Sequence, residues 1–134
     1  MREKPESEYL VTIVDDDPSI CEATISLLKA NGFKTRSFCS AAEFLNSPEL
    51  DETDCLILDL RLTGMSGPEL QRHLAGKNRR IRIIFITAHG TPETREESLR
   101  AGAIAFLSKP FSEEALLNSI RLAINNCTDT EERK

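Results

Sequence analysis

Two predominantly apolar runs, each closed by a carboxylate, limit what this chain can become. Cys55-Leu56-Ile57-Leu58 ends in Asp59, and Leu10-Val11-Thr12-Ile13-Val14 ends in Asp15-Asp16-Asp17. A run of strand length without polar alternation suits a strand covered on both faces, as in the middle of a parallel sheet. The acid then emerges where a buried strand reaches solvent. In open α/β sheets, ligands bind at the carboxyl ends of the strands. Two acidic strand ends in one small domain point to a site for a divalent cation and a phosphoryl group.

The rest of the chain alternates strand and helix around these runs. A first strand over about Tyr9 to Val14 leads to Asp17-Pro18, a helix cap followed by proline at the first helical position. Ile20, Ala23, Leu27 and Ala30 then recur at helical spacing, and Gly32 after Asn31 is a stop signal. A second strand spans about Phe33 to Phe38, and Ser40-Ala41-Ala42-Glu43 reads as a capping box for a short helix. The third strand is Cys55 to Leu58. After a loop from Leu60 to Gly67, Pro68 opens a helix that buries Leu70 and Leu74. The fourth strand, Ile83 to Ile86, runs into Thr87, and the fourth helix starts near Pro92 and reaches Ala101. A fifth strand, about Ala105 to Leu107, closes at Lys109-Pro110. Ser112 caps a last helix burying Leu116, Ile120, Ala123 and Ile124.

Alternation of this kind builds right-handed βαβ units and a parallel sheet with helices on both sides. Five units match a flavodoxin-like (βα)5 doubly wound α/β fold with strand order 2-1-3-4-5, whose switch point lies between strands one and three. Asp15, Asp16 and Asp59 should therefore converge.

At 134 residues the chain has room for one folded domain. The expected division is an N-terminal extension over residues 1–8, the domain over 9–124 and a polar tail or linker start over 125–134. A net charge of −5 argues against a nucleic-acid-binding surface. No apolar run approaches the roughly 20 residues of a membrane span, and the polar stretch Met1 to Glu8 is not a signal peptide. Cys21, Cys39, Cys55 and Cys127 show no CxxC spacing and no histidines at ligand distance, which fits structural thiols in a reducing cytoplasm.

Three carboxylates in one crevice repel each other. At about 4 Å and an effective dielectric near 20, each pair costs roughly 4 kcal/mol. Such a cluster needs a cation. Lys109 is one candidate. A hard ion such as Mg²⁺, held by one or two carboxylates, waters and phosphate oxygens, is another. Thr87 adds a hydroxyl to the same edge. Carboxylate, metal, hydroxyl and ammonium together form a phosphoryl-transfer site in which the carboxylate attacks and the other groups stabilise developing charge. Singly, each residue has a plainer role: Asp17 as the helix cap, Thr87 as a loop hydrogen-bonder, Lys109 as a solvated lysine. The joint pattern carries the specificity.

The segments Val14-Asp15-Asp16-Asp17, Leu56-Ile57-Leu58-Asp59, Gly64-Met65-Ser66-Gly67, Phe85-Ile86-Thr87-Ala88 and Ser108-Lys109-Pro110-Phe111 resemble the receiver domain of bacterial two-component response regulators. The resemblance runs from about Tyr9 to Ile124. Phe38 to Leu45 and Ile86 to Gly90 are most similar to FixJ-type receivers, which usually precede a helix-turn-helix DNA-binding domain. The resemblance implies that Asp59 accepts a phosphoryl group from the phosphohistidine of a sensor histidine kinase. It implies Mg²⁺ held by Asp16 and Asp59, by Asp15 largely through water, and by the Arg61 carbonyl. Lys109 and Thr87 would contact the phosphoryl oxygens, and Phe106 would be the switch aromatic that follows Thr87. It further implies a cytoplasmic, phosphorylation-dependent homodimer formed through the fourth helix, fifth strand and fifth helix. Its task would be transcription regulation, not metabolic catalysis. Two positions bear on this. Thr63 stands where the family usually has Pro, which frees the loop carrying Arg61. Arg61 and His89, two residues after Asp59 and Thr87, would border the phosphoryl group; Arg61 is expected to slow its loss. The fourth helix, Pro92 to Arg100, has Leu99 as its one large apolar residue and should be thinly held.

Two other readings compete. Asp15-Asp16-Asp17-Pro18-Ser19 approximates the DxDx[TV] motif of haloacid-dehalogenase-like phosphatases, with Asp15 as nucleophile and Asp17 as general acid. That reading leaves Asp59 without a role and finds no acidic pair after Lys109 where the last metal ligands should come. A degenerate receiver acting only as a docking module has Thr63 as its one support.

Overall fold

In the structure, a computed structural model describing residues 5–77 and 81–132, five strands form one parallel sheet in the order β2-β1-β3-β4-β5. The strands are β1 (Leu10–Val14), β2 (Lys34–Phe38), β3 (Cys55–Asp59), β4 (Arg82–Thr87) and β5 (Ala105–Ser108). The helices between and after them are α1 (Pro18–Ala30), α2 (Ala41–Leu45), α3 (Gly67–Gly76), α4 (Pro92–Arg100) and α5 (Glu113–Glu132). Short 3-10 turns lie at Glu6–Glu8 and Pro48–Leu50. Residues 1–4 of the expected extension and 133–134 of the expected tail lie outside the described residues.

The apolar runs behave as both-face strands. Val11, Ile13, Ile57, Ile84 and Ile86 pack with Leu28 of α1 and Leu116, Ile120 and Ile124 of α5. Val14, Leu56, Leu58 and Phe85 point the other way, onto Phe44 of α2 and Leu70 and Leu74 of α3. Period-two alternation sends successive side chains to opposite faces, so every position of β1 and β3 is buried. The Thr12 hydroxyl within β1 is satisfied. Thr53 donates to the Glu49 carbonyl, so Thr12 must donate to Thr53 at 2.8 Å.

Helix caps follow the local signals closely. Asp17 accepts from the Ser19 amide, with Pro18 at the first helical position. Ser66 and Glu69 form a reciprocal capping box, and Thr91 and Thr94 form another. At α2 the box is half displaced. Ser40 accepts from the Glu43 amide, but the Glu43 carboxylate accepts from Cys39, one residue outside the cap.

Three details differ from expectation. The fully buried residues of α1 are Cys21, Thr24 and Leu28; of the expected stripe, Ile20 and Leu27 are partly buried against the same core, whereas Ala23 and Ala30 are exposed. The docking angle sets which side of the apolar stripe is covered most. α4 buries Ser98 most fully, with Leu99 only partly covered, and Gln71 of α3 donates to the Ser98 carbonyl at 3.4 Å. The segment from Asn125, expected as a tail or linker start, begins as helix. α5 runs to Glu132, since no Gly or Pro interrupts that stretch. Among the described residues, no helix is long and apolar enough to cross a membrane.

Candidate phosphoryl-transfer site

Strand register builds the site. Val14 lies beside Leu58, so Asp15 and Asp59 leave neighbouring strands at the same level. Asp59 pairs with Ile86 and Thr87 with Ser108, which brings Thr87 and Lys109 to the same edge. The Lys109 amide donates to the Thr87 carbonyl at 2.8 Å and fixes the two residues together. A cavity of about 210 Å³ opens there, lined by Asp15, Asp16, Asp59, Arg61, Thr87 and Lys109, with Asp17 and His89 at its wall. A larger groove, about 870 Å³, lies where the strands begin and contains none of these groups.

Within the cavity Lys109 bridges two acids. Its Nζ donates to Asp15 Oδ2 at 2.9 Å and to Asp59 Oδ2 at 3.4 Å. The opposite oxygens are held by backbone: Asp15 Oδ1 accepts from the Asp17 amide at 2.9 Å, and Asp59 Oδ1 from the Arg61 amide at 3.1 Å. Burial pushes the Asp59 carboxyl above its ordinary value. The Arg61 amide works against this, Asp15 adds to it, and Lys109 opposes it. Burial alone would lower the Lys109 pKa, but its bond to Asp15 and the charges of Asp15 and Asp59 prevail and raise it. Charge on Lys109 is thus stabilised, whereas charge on Asp59 is tolerated at a cost.

One ammonium does not neutralise three carboxylates. Oxygen atoms of Asp15, Asp16 and Asp59 all lie within 4.8 Å of one another, with Asp15 and Asp59 buried and Asp16 exposed to solvent. Hard donors, close spacing and residual negative charge fit a small divalent cation such as Mg²⁺.

Thr87 is almost fully buried, and its hydroxyl accepts from the His89 amide at 3.1 Å, shaping the turn after β4. Phe106 does not line the cavity. Its half-buried ring packs on Phe85, tilted 49° with centroids 6.4 Å apart, and shares with the Thr87 methyl the space around Gly90. Asp17 lines the wall while spending one oxygen on the α1 cap. Cys21, on the first turn of α1, donates its thiol to the Asp15 carbonyl at 3.3 Å, and burial pushes its pKa to about 11. That thiol is a packing group, not a nucleophile.

One contact went unread in the sequence. Thr63 Oγ1 donates to Asp16 Oδ2 at 3.3 Å, across 47 residues of chain. The departure from Pro at position 63 is its signal in the sequence: threonine there not only frees the loop but supplies a donor.

The chain matches the family model described as the response regulator receiver domain over residues 11–121. The response regulator protein TmoT of Ectopseudomonas mendocina is 44% identical over 119 residues, covering 89% of this chain and 54% of that protein. The chain therefore spans about half the length of such curated relatives. Among solved structures, the response regulator StyR superposes with a TM-score of 0.85 at 40% identity, covering 94% of this chain and 64% of that one. FixJ-N gives 0.78 at 35% identity, covering 87% and 94%.

Proposed function

The chain belongs to the response regulator receiver domain family, and on that premise we propose that Asp59 is its phosphoacceptor. The observation that carries this reading is the Lys109 ammonium shared between Asp15 and Asp59 inside one cavity. A carboxylate oxygen of Asp59 attacks phosphorus on the phosphohistidine of a sensor histidine kinase. The new O–P bond forms as the P–N bond breaks, and the electron pair leaves with the imidazole nitrogen. Lys109 and the Thr87 hydroxyl receive the phosphoryl oxygens. Asp15, Asp16, Asp59 and the Arg61 carbonyl would hold Mg²⁺, which when bound offsets negative charge on the acids and on the phosphoryl group.

The domain acts as a switch and catalyses only its own phosphorylation and dephosphorylation. Thr87 moves toward the new phosphoryl oxygens, and Phe106 follows. The α4–β5–α5 face then changes, which allows a homodimer or an output domain to respond. Thin packing of α4 supports this, since a weakly held helix needs only a small bias to shift. Relatives named as transcriptional regulatory proteins, among them FixJ of Azorhizobium caulinodans at 30% identity, support an output in transcription regulation, with the cytoplasm as the place of action.

Beryllofluoride, which mimics a phosphoryl group on a carboxylate, tests the assignment. Binding should require Mg²⁺ and vanish in Asp59→Asn. Binding that survives Asp59→Asn but is lost in Asp15→Asn would favour the phosphatase-like reading. No binding at all would favour a docking module.

A further inference from the structure

Of the three acids in the cavity, Asp16 is held least. Asp15 is clamped by Lys109 and the Asp17 amide, and Asp59 by the Arg61 amide and Lys109. Asp16 is exposed, and a solvated carboxylate samples several rotamers. Among the described residues, the side chain that reaches it is Thr63, whose hydroxyl donates to Asp16 Oδ2 at 3.3 Å. Thr63 is itself exposed, in the loop between β3 and α3, two residues after Arg61. Proline at that position would carry no donor.

We propose that Thr63 is a positioning residue for the divalent cation. This rests on the metal reading above. An ionised carboxylate has about four lone-pair sites, so Asp16 can accept from Thr63 and still face a cation. Hydrogen bonds of this kind orient metal-binding carboxylates, and removing them typically lowers metal affinity by about 10- to 100-fold. At 3.3 Å the contact is long for a hydroxyl donor, so it adds little to the stability of the metal-free chain. Its effect belongs to the bound state, where the cation confines Asp16 to one rotamer and the Thr63 hydroxyl supports that rotamer. The same bond ties the loop that carries Arg61 to the acid at the end of β1. Cation binding and loop order are thereby coupled through one hydroxyl.

The test is calorimetric titration of the intact chain with MgCl₂, for wild type, Thr63→Val, Thr63→Ser and Asp16→Ala, with amide exchange of residues 61–65 followed in parallel. Valine keeps the branched shape and removes the donor; serine keeps the donor. We expect Thr63→Val to weaken Mg²⁺ binding about tenfold and to abolish Mg²⁺-dependent protection of the loop. Thr63→Ser should retain both. Equal affinity in wild type and Thr63→Val overturns the proposal, as does a Thr63→Ser variant as weak as valine. If wild type binds no Mg²⁺, or Asp16→Ala binds it unchanged, the metal reading itself falls and takes this proposal with it. Circular dichroism confirms folding, which substitution at an exposed loop position should not disturb.

Discussion

Lys109 Nζ lies 2.9 Å from Asp15 Oδ2 and 3.4 Å from Asp59 Oδ2, so one ammonium from the end of β5 holds two buried carboxylates from β1 and β3. The pair distances are unequal, and so are the electrostatic consequences. Lys109 is raised above its usual 10.5, while Asp59 is raised above its usual 3.8 by burial.

The sign for Asp59 follows from linkage. The folded chain binds the Asp59 proton more tightly than the unfolded chain does. Stability from this group therefore appears as pH falls through its folded value towards 3.8, and at neutral pH the buried charge works against folding. Asp59→Asn should raise Tm at pH 7, by about 4 °C for a gain of about 1 kcal/mol. The gain should shrink as pH falls towards 4. A gap that stays constant or widens in acid would contradict this. Lys109 has the same sign of dependence in a higher pH window: its contribution is present below 10.5 and is lost as pH rises through its folded value, and at neutral pH it therefore favours folding. Lys109→Met should accordingly lower Tm at pH 7, with the loss reduced by added Mg²⁺.

Gly67 begins α3 directly against the acceptor strand. A Cβ there would stand 2.7 Å from the Asp59 carbonyl oxygen and 2.9 Å from Phe85 Cε1. The first of these is backbone and cannot step aside. Gly67→Ala should cost about 2 kcal/mol in urea unfolding. Gly76, at the other end of the same helix, has nothing within 4 Å of such a Cβ, so Gly76→Ala should be neutral or stabilising. Equal effects at the two positions would refute the packing argument.

Gly90 faces a movable group instead. Its Cβ would meet the Phe106 ring at 2.7 Å and the Thr87 methyl at 3.0 Å. Gly90→Ala should displace the ring end of Phe106 for less than about 1 kcal/mol, because a half-buried side chain can swing. NMR of the Thr87 methyl and the Phe106 and Phe85 rings reports this directly. Unchanged shifts in all three would rule it out.

Arg61 is exposed at the wall of the cavity, two residues beyond the acceptor. Its side chain should hinder water from reaching a phosphoryl group on Asp59. Arg61→Ala is expected to shorten the lifetime of phosphorylated Asp59 several-fold, measured by loss of phosphate after the donor is removed. An unchanged or longer lifetime sinks the idea.

Most of the architecture is written in short-range pattern. Largely apolar runs at Leu10–Val14 and Cys55-Leu56-Ile57-Leu58 require cover on both faces, which in a chain of alternating strands and helices leaves a parallel sheet. Strand ends then gather Asp15, Asp16, Asp59, Thr87 and Lys109 on one edge, because parallel strands all point the same way. Caps at Asp17, Ser66 and Thr91 are equally local, each needing only a side-chain oxygen within three residues of a free amide.

What resisted reading depends on how finished elements meet. Periodicity placed Ile20 and Leu27 against the core, but only docking on β1 and β2 decided that Cys21, Thr24 and Leu28 are the fully buried residues of α1 and that Ala23 and Ala30 stay exposed. Gly67 and Gly90 look alike in sequence; one is pressed against backbone and the other against side chains, the Phe106 ring and the Thr87 methyl. The Thr63–Asp16 bond joins residues 47 apart, from loops that approach only once β1 and β3 are paired. Periodicity and capping act over a few residues and are visible in any short window. Distances between side chains of remote loops are set by the packing of the whole sheet, and only the tertiary structure contains them.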